Sequence, residues 1–529
     1  MPNTFQKIKL GLTQVKQASS QYLQSINKMQ KFLLICSLVL LITSLAIGAF
    51  SRIYGSLNYT EFQGDQARDA FVIAGMKEGK FPYLGPSSSV GDYSLPPLYY
   101  YLAGIPIVFG TDPALQVLSN SVLSFFSIFL LAYFIFNLLN KESGFEKRLL
   151  ISSVAAFWWS LWYNDILLNN REWNPNSIPF FLLAFILTLS GILDNAQSRV
   201  KSLVLWALSG LLMAILMSLH SVTLFITPIV YLIFIAYFLV REKDSLKPMI
   251  GFLSFGIIMI PYWVGEFGTG WKNTKVIIKT IFKTSKEPHT FLERLDRAFF
   301  NYLELADLGY FMNNILRYGG MFFLAAIALF ALLIFRGKKN IWFFYLLTMA
   351  VYSYAASNFW GTYYIHYKAI IWFAPIVFTA ICFDYVISLK LQKIKKISLS
   401  VFILFFVGLS ISSNFEATSL YLNTKLGKNR SLNTYDITFY LKKLPVNSRL
   451  CLDEGDTMAY QYLIKYEVKT NINLVNLAGC QGGNYQFHQK ALKTKTPEGQ
   501  VFYEDNLIQI TAFRSLIPKA LLPILETGL

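Results

Sequence analysis

The sequence predicts an all-α polytopic membrane protein with about eleven transmembrane helices, a long external first loop of interfacial helices and a small C-terminal external α/β domain. Three observations carry that expectation. Hydrophobic residues fill 54% of the 529 positions and charged residues only 15%, whereas soluble domains carry about a quarter charged. Apolar runs near the ~20 residues needed to cross a bilayer recur along the chain. Past residue 414 those runs give way to shorter strand and helix patterns.

The first 30 residues form a polar N-terminal segment, and residues 1–31 hold Lys7, Lys9, Lys16, Lys28 and Lys31 with no acid. That places this end in the cytoplasm. "KFLLICSLVLLITSLAIGAF" then begins span one, and the long polar leader marks it as an uncleaved anchor rather than a signal peptide. Basic loops follow at "NKESGFEKR", "RVK", "REKDSLK", "RGKK" and "KLQKIKK". They account for much of the formal charge of +17. The charge therefore reports orientation and excludes nucleic acid as a partner.

Those loops also decide the reading of "LPPLYYYLAGIPIVFG". Were it a span, "NKESGFEKR" and every later basic loop would face outward. Pro96, Pro97 and Pro106 interrupt it, and Tyr99, Tyr100 and Tyr101 suit an interface. Residues 51–112 are thus expected to be one external loop of helices on the membrane. Spans are expected near 31–50, 113–139, 149–164, 177–193, 203–219, 222–240, 248–264, 316–336, 341–357, 368–389 and 398–414, which makes residues 31–414 the transmembrane module. An odd number leaves residues 415–529 outside.

In that tail "SRLCLDEG" and "TNINLVNL" read as strands, and "YDITFYLKKLP" and "DTMAYQYLIKYE" as helices. "QVFYEDNLIQITAF" reads as a hairpin turning at Asp505-Asn506. Cys36 and Cys382 lie in apolar runs and suit packing. Cys451 and Cys480 share the external tail and are expected to pair there.

Polar side chains gather at the outer ends of spans in four patches. "GDQARD" sets Asp65 and Asp69 at i, i+4 on one helix face, beside Arg68. "YNDILLNNREWNPNSIP" supplies Asp165, Arg171, Glu172, Trp173, Asn174 and Asn176 almost without spacers. His220 sits in "SLHSVT", where spans five and six meet. His366 in "FWGTYYIHYK" is flanked by Tyr363, Tyr364, Tyr367 and Lys368. An aromatic belt explains these tyrosines but not a His and a Lys entering the next span together.

These patches, with "LGPSSSVGDYSLPPLYYYL", "LMSLHSVTLFITP" and "YYIHYKAIIWFAPI", resemble in order and topology the GT-C class of polyprenyl-phosphate-sugar-dependent glycosyltransferases. The nearest resemblance is to family-39-like bacterial proteins related to protein O-mannosyltransferases and the lipid A aminoarabinose transferase. It covers roughly residues 31–390. It implies a GT-C-type fold, an external active site, an inverting displacement and a lipid-phosphate sugar donor. It also implies a catalytic Asp on the first loop, which falls on Asp65. Many relatives carry Asp-Glu there and this chain has Asp65-Gln66, so a second acid would be Glu172 or Asp165.

The chemistry asks for one carboxylate to take the proton of an acceptor hydroxyl. The leaving phosphate needs positive charge and hydrogen-bond donors but no acid. Arg68, Asp69, Asp165, Arg171, Asn174, His220, Tyr363, Tyr364, His366 and Lys368 are the candidate substrate-binding residues. No cofactor is assigned, and a divalent metal on the carboxylates stays open. Implied partners are a polyprenyl-phosphate sugar, a glycan, lipid or protein acceptor, and the lipids of the plasma membrane. The competing class is a lipid or glycan transporter, which tends to carry ionisable residues near the bilayer midplane, often in repeated halves. These spans are nearly free of charge and show no internal repeat.

Overall fold

A computed structural model describes residues 17, 20–22, 24–62, 64–88, 91–193, 198–242, 244–281, 290, 292–294, 297, 325–357, 364–388, 393–426, 434–452, 457–476, 484–489, 500–504 and 508–512. Among these, seven helices are long and apolar enough to cross a membrane, or eight if a bent pair counts as one span. Helix α1 (Lys28–Gly48) is capped by Asn27, which accepts from the Gln30 N–H while Gln30 bonds back. It continues through a π-helical turn, so the first span reaches Asn58. Its buried stripe holds Ser37, Ser44, Gly48 and Ser51. Each serine bonds back to the carbonyl four residues earlier, which lets small residues line the contact without leaving a hydroxyl unpaired.

The first loop then folds as α2 (Gly64–Lys77), a strap, and α3 (Leu98–Ala103). Within the strap Gly85 N–H meets Leu95 O at 2.7 Å and Leu95 N–H meets Pro86 O at 2.9 Å. A Cβ on Gly85 would lie 2.2 Å from Pro96 O, so this close approach demands glycine. The chain continues with the helices α4 (Pro113–Leu138), α5 (Phe145–Ser160), the short α6 (Tyr163–Asn169) and α7 (Ile178–Ile192). They continue with α8 (Arg199–Leu219) and α9 (Ser221–Glu242). The span expected at 248–264 consists of α10 (Leu246–Ile258) and α11 (Ile260–Gly268), bent by 57°. Pro261 lies one residue past Ile260 at the bend, and a proline ring cannot continue the hydrogen-bond ladder from α10.

Helix α12 (Lys272–Ile281) lies over the strap. Asn273 bonds both the N–H and the carbonyl of Ser94, at 2.6 and 2.8 Å. The loop "WKNTKVIIKTIFKTSKEPH" spaces Lys272, Lys275, Lys279, Lys283 and Lys286 at three- and four-residue steps, one basic helical face; Lys272, Lys275 and Lys279 are exposed, and Lys283 and Lys286 lie outside the described residues. Helices α13 (Ala325–Ile334), α14 (Lys339–Ser357), α15 (Ala374–Ser388) and α16 (Lys393–Leu426) complete the membrane part. A 3-10 turn at Ile365–Ile370 leads into α15. Helix α16 runs past the expected end at 414, and the change of character comes after it.

Helix α17 (Thr434–Leu441) and α18 (Thr457–Leu463) accompany a five-stranded sheet. Its strands are β1 (Ser448–Leu452), β2 (Ile472–Asn476), β3 (Asn484–Gln489), β4 (Gln500–Glu504) and β5 (Ile508–Ala512), in the order β2-β1-β3-β5-β4. Strand β1 pairs parallel with β2 and β3, and β5 antiparallel with β3 and β4. The two expected strands are present and β4 pairs antiparallel with β5, while the expected turn at Asp505-Asn506 lies outside the described residues; β3 was not foreseen. Cys451 is held in a disulfide; Cys480, its expected partner, lies outside the described residues. Tyr462 of α18 packs on Phe62 and Phe71 and donates to Thr111 O at 2.6 Å. The C-terminal part therefore braces α2, the helix that carries the first acidic patch.

Candidate functional site

Helix α2 begins at Gly64 with Asp65 in its first turn, where a carboxylate suits the helix dipole. One turn on, Asp69 points inward and is wholly buried. Arg68 spans the two, with Nη1 on Asp65 Oδ1 at 3.0 Å and Nε on Asp69 Oδ1 at 2.9 Å. The Asp65 side chain is 60% exposed and the Arg68 side chain 35%. The pair of acids expected on one face thus has unequal members: Asp65 meets solvent, and Asp69 meets the core.

Helix α3 supplies the inner partners. Tyr100 donates to Asp69 Oδ1 at 2.9 Å, and Asp69 Oδ2 has no hydrogen-bond partner. Tyr99 faces both Glu172 and Asp69 without forming a well-aligned hydrogen bond to either. Burial raises the affinity of Asp69 for a proton, against the opposing pull of Arg68. The tyrosines expected at the interface are therefore corrected by the structure: Tyr99 and Tyr100 lie in the core around the carboxylates. Three consecutive tyrosines after Pro-Pro gave an equal signal for either place.

Glu172 comes from the turn between α6 and α7. Asn120 of α4 donates to both of its oxygens at 3.1 Å and to Trp173 O at 3.0 Å. Burial, with the neighbouring Asp69, pushes the Glu172 carboxyl up to about 8. It is therefore mostly protonated at neutral pH. Trp173 packs on His366 at a tilt, with ring centroids 4.3 Å apart, and the His220 ring lies 5.4 Å from His366 and 4.8 Å from Tyr367. The Val222 N–H donates to His220 Nδ1 at 3.2 Å. Burial holds this imidazole neutral, so Nε2 carries its proton. Asn174 ties the turn to α8 through Leu219 O. Tyr364 stacks on His366, and Lys368 is buried in the same 3-10 turn.

Two expected residues sit apart from this cluster. Asp165 is buried with its oxygens taken by Arg52 Nε at 2.8 Å, Ser124 at 2.5 Å and Asn169 at 2.9 Å. The same Arg52 donates to Ser160 O and Trp159 O, each at 2.9 Å. This ion pair locks the end of α1 to α4, α5 and α6. Arg171 pairs with Glu61 and holds the two loops together. Tyr363 lies outside the described residues. Sequence reasoning passed over Arg52 and Asn120; an arginine inside "IGAFSRIYG" was the available signal, because a charge at the end of an apolar run needs a partner. Among the described residues no three His, Cys, Asp or Glu side chains are grouped to hold a metal ion.

Three of the four patches thus meet through direct contacts running from Glu172 and Trp173 to His366 and His220. The first patch joins them through Asp69 and Tyr99. By sequence the chain matches no protein-family model and no curated protein. Its fold is similar to that of the lipid A aminoarabinose transferase ArnT from Cupriavidus metallidurans. The structure of ArnT bound to undecaprenyl phosphate aligns with a TM-score of 0.53 at 10% identity, over 90% of this chain and 97% of that one. The apo structure gives 0.52 at 11% identity over the same shares. The chain accordingly shares the fold of that protein.

Proposed function

We propose that this protein is an integral-membrane glycosyltransferase that moves a sugar from a polyprenyl-phosphate donor to an acceptor hydroxyl on the external face. The observation that carries this reading is the convergence of the four patches at one end of the spans, in a fold shared with a protein solved with undecaprenyl phosphate. Asp65 is the general base. It is the exposed carboxylate of the cluster, fixed by Arg68 yet open to an acceptor. Glu172, buried and largely protonated, supplies a hydrogen-bond donor instead.

In the reaction Asp65 takes the proton of the acceptor hydroxyl, and the freed oxygen attacks the anomeric carbon. The bond from that carbon to the phosphate oxygen breaks on the opposite face, so configuration inverts. The lipid phosphate leaves with the bonding electrons, met by positive charge and donors from Arg68, Lys368, His366 and the adjacent tyrosines. The acceptor is a glycan, lipid or protein of the cell envelope.

The test is to incubate membranes carrying the protein with a panel of polyprenyl-phosphate sugars and identify the labelled product and its anomeric configuration. Transfer with inversion is expected. Movement of lipid across the bilayer without any transfer would favour a transporter instead. Orientation is tested separately, with cysteines at Lys141 and Lys442 in a background lacking Cys451 and Cys480. An impermeant thiol reagent on intact cells should label position 442 and not 141; the reverse pattern would invert the topology.

A further inference from the structure

At the opposite end of the bundle lies a cavity of about 450 Å³, lined by residues from the α4–α5 turn, the end of α13 and the end of α15. Leu139, the C-cap of α4, lies nineteen residues on from Asn120, so the cavity stands about 28 Å from the cluster around Glu172. It is independent of the proposed transfer reaction. Its walls are pinned: Lys338 N–H bonds Leu138 O at 2.9 Å, and a Cβ on Gly337 would lie 1.8 Å from that same oxygen.

The lining has two signs. Asp384 on α15 is only 8% exposed. Its Oδ2 accepts the Asn140 N–H at 3.4 Å, while its Oδ1 has no hydrogen-bond partner. Ser143 and Ser388 add hydroxyls 3.2 Å apart beside it. Lys147 and Arg336 are exposed at the cavity and make no ion pair among the described residues. Ile334, Ile381 and Ile387 supply apolar wall.

We propose that this cavity binds the head group of a zwitterionic aminophospholipid, its primary ammonium on Asp384 and its phosphodiester on Lys147 and Arg336. A lone anion would meet the Asp384 and Glu142 carboxylates, and a lone cation would meet Lys147 and Arg336, so a group carrying both signs fits the lining. A quaternary ammonium has no N–H to give to Asp384 and the serine oxygens, and it prefers open aromatic faces. Of the cavity's two aromatic rings, Tyr385 is covered by the Arg336 guanidinium at 5.6 Å and Phe335 is stacked on Trp342. The isoleucines and the position at the ends of the spans favour a lipid over a soluble zwitterion.

The test titrates purified protein with dioctanoyl phosphatidylethanolamine, phosphatidylcholine and phosphatidylglycerol, and with free phosphoethanolamine. The ethanolamine lipid should bind about tenfold or more tightly than the other two, as a hydrogen bond to a buried charge allows. Asp384→Asn should abolish that preference. Equal binding of the three lipids, or a preference that survives Asp384→Asn, overturns the proposal. Free phosphoethanolamine binding as tightly as its lipid overturns the lipid assignment. Should Asp384→Asn fail to fold, the exposed pair Lys147→Gln and Arg336→Gln decides: tenfold weaker binding of the ethanolamine lipid supports the site, and unchanged binding refutes it.

Discussion

Asp165 and the pair Asp69–Glu172 are buried carboxyl groups at the same end of the membrane bundle, yet they are built differently. Arg52 neutralises Asp165, and Ser124 and Asn169 complete its hydrogen bonding. Among the described residues Asp69 keeps one oxygen without a partner, and Glu172 pairs with no cation and meets the Asn120 amide and a poorly aligned Tyr99. A saturated ion pair holds helices together. An undersupplied pair of acids beside an exposed third, Asp65, leaves hydrogen-bonding capacity for something that enters. The difference separates structure from chemistry within one stretch, "YNDILLNNREWNPNSIP", whose residues look alike in one dimension.

The sharpest way to break this contrast is Asp65→Asn. It keeps shape but cannot accept a proton, so turnover should fall by ~10²–10⁴ with protein level and donor binding retained. Near-normal turnover at saturating donor would move the base elsewhere, and Glu172 would be the first candidate.

Next comes Asp165→Ala, which leaves the Arg52 guanidinium buried and unpaired. Removing one partner of a buried ion pair costs about 3–5 kcal/mol, so the yield of folded protein should collapse in detergent extracts. Replacing Arg52 and Asp165 together by Met and Ala should recover part of that yield. A fully folded Asp165→Ala with only a catalytic defect would move Asp165 into the active cluster.

A smaller effect concerns pH. Folded Glu172 holds its proton up to about 8, whereas an unfolded Glu releases it near its ordinary ~4.3. Between those values the folded state binds more protons, so this contribution to stability is full below the ordinary value and is lost as pH rises through about 8. Asp69 acts in the same sense. His220, held neutral, acts oppositely by losing stability as pH falls below its ordinary range. The difference in Tm between wild type and Glu172→Gln isolates the first term: the variant should lose less Tm than wild type between pH 5 and 8. Parallel curves would mean that Glu172 is ionised. Its activity should drop less than that of Asp65→Asn, and Asp69→Asn should cost least of the three.

The smallest effect is expected on α12. Lys275→Gln with Lys279→Gln removes two exposed cations near the strap and should raise the apparent donor KM modestly, more at low salt than at high. Unchanged kinetics would leave these lysines as side chains that only snorkel to water.

The sequence by itself determined the membrane class, the order of helices, the polar patches at span ends and most strands of the tail. These follow from local properties: run length, charge between runs and alternation of apolar residues are written in neighbouring positions. Tertiary structure alone decided which polar residues belong together. Arg52 reaches Asp165 across 113 positions and Asn120 reaches Glu172 across 52, and no local period signals such a pairing. It also decided that Tyr99 and Tyr100 turn inward and that the span at 248–264 bends. Burial and partnering are properties of three-dimensional neighbours, and they set whether a carboxylate is a strut or a reagent.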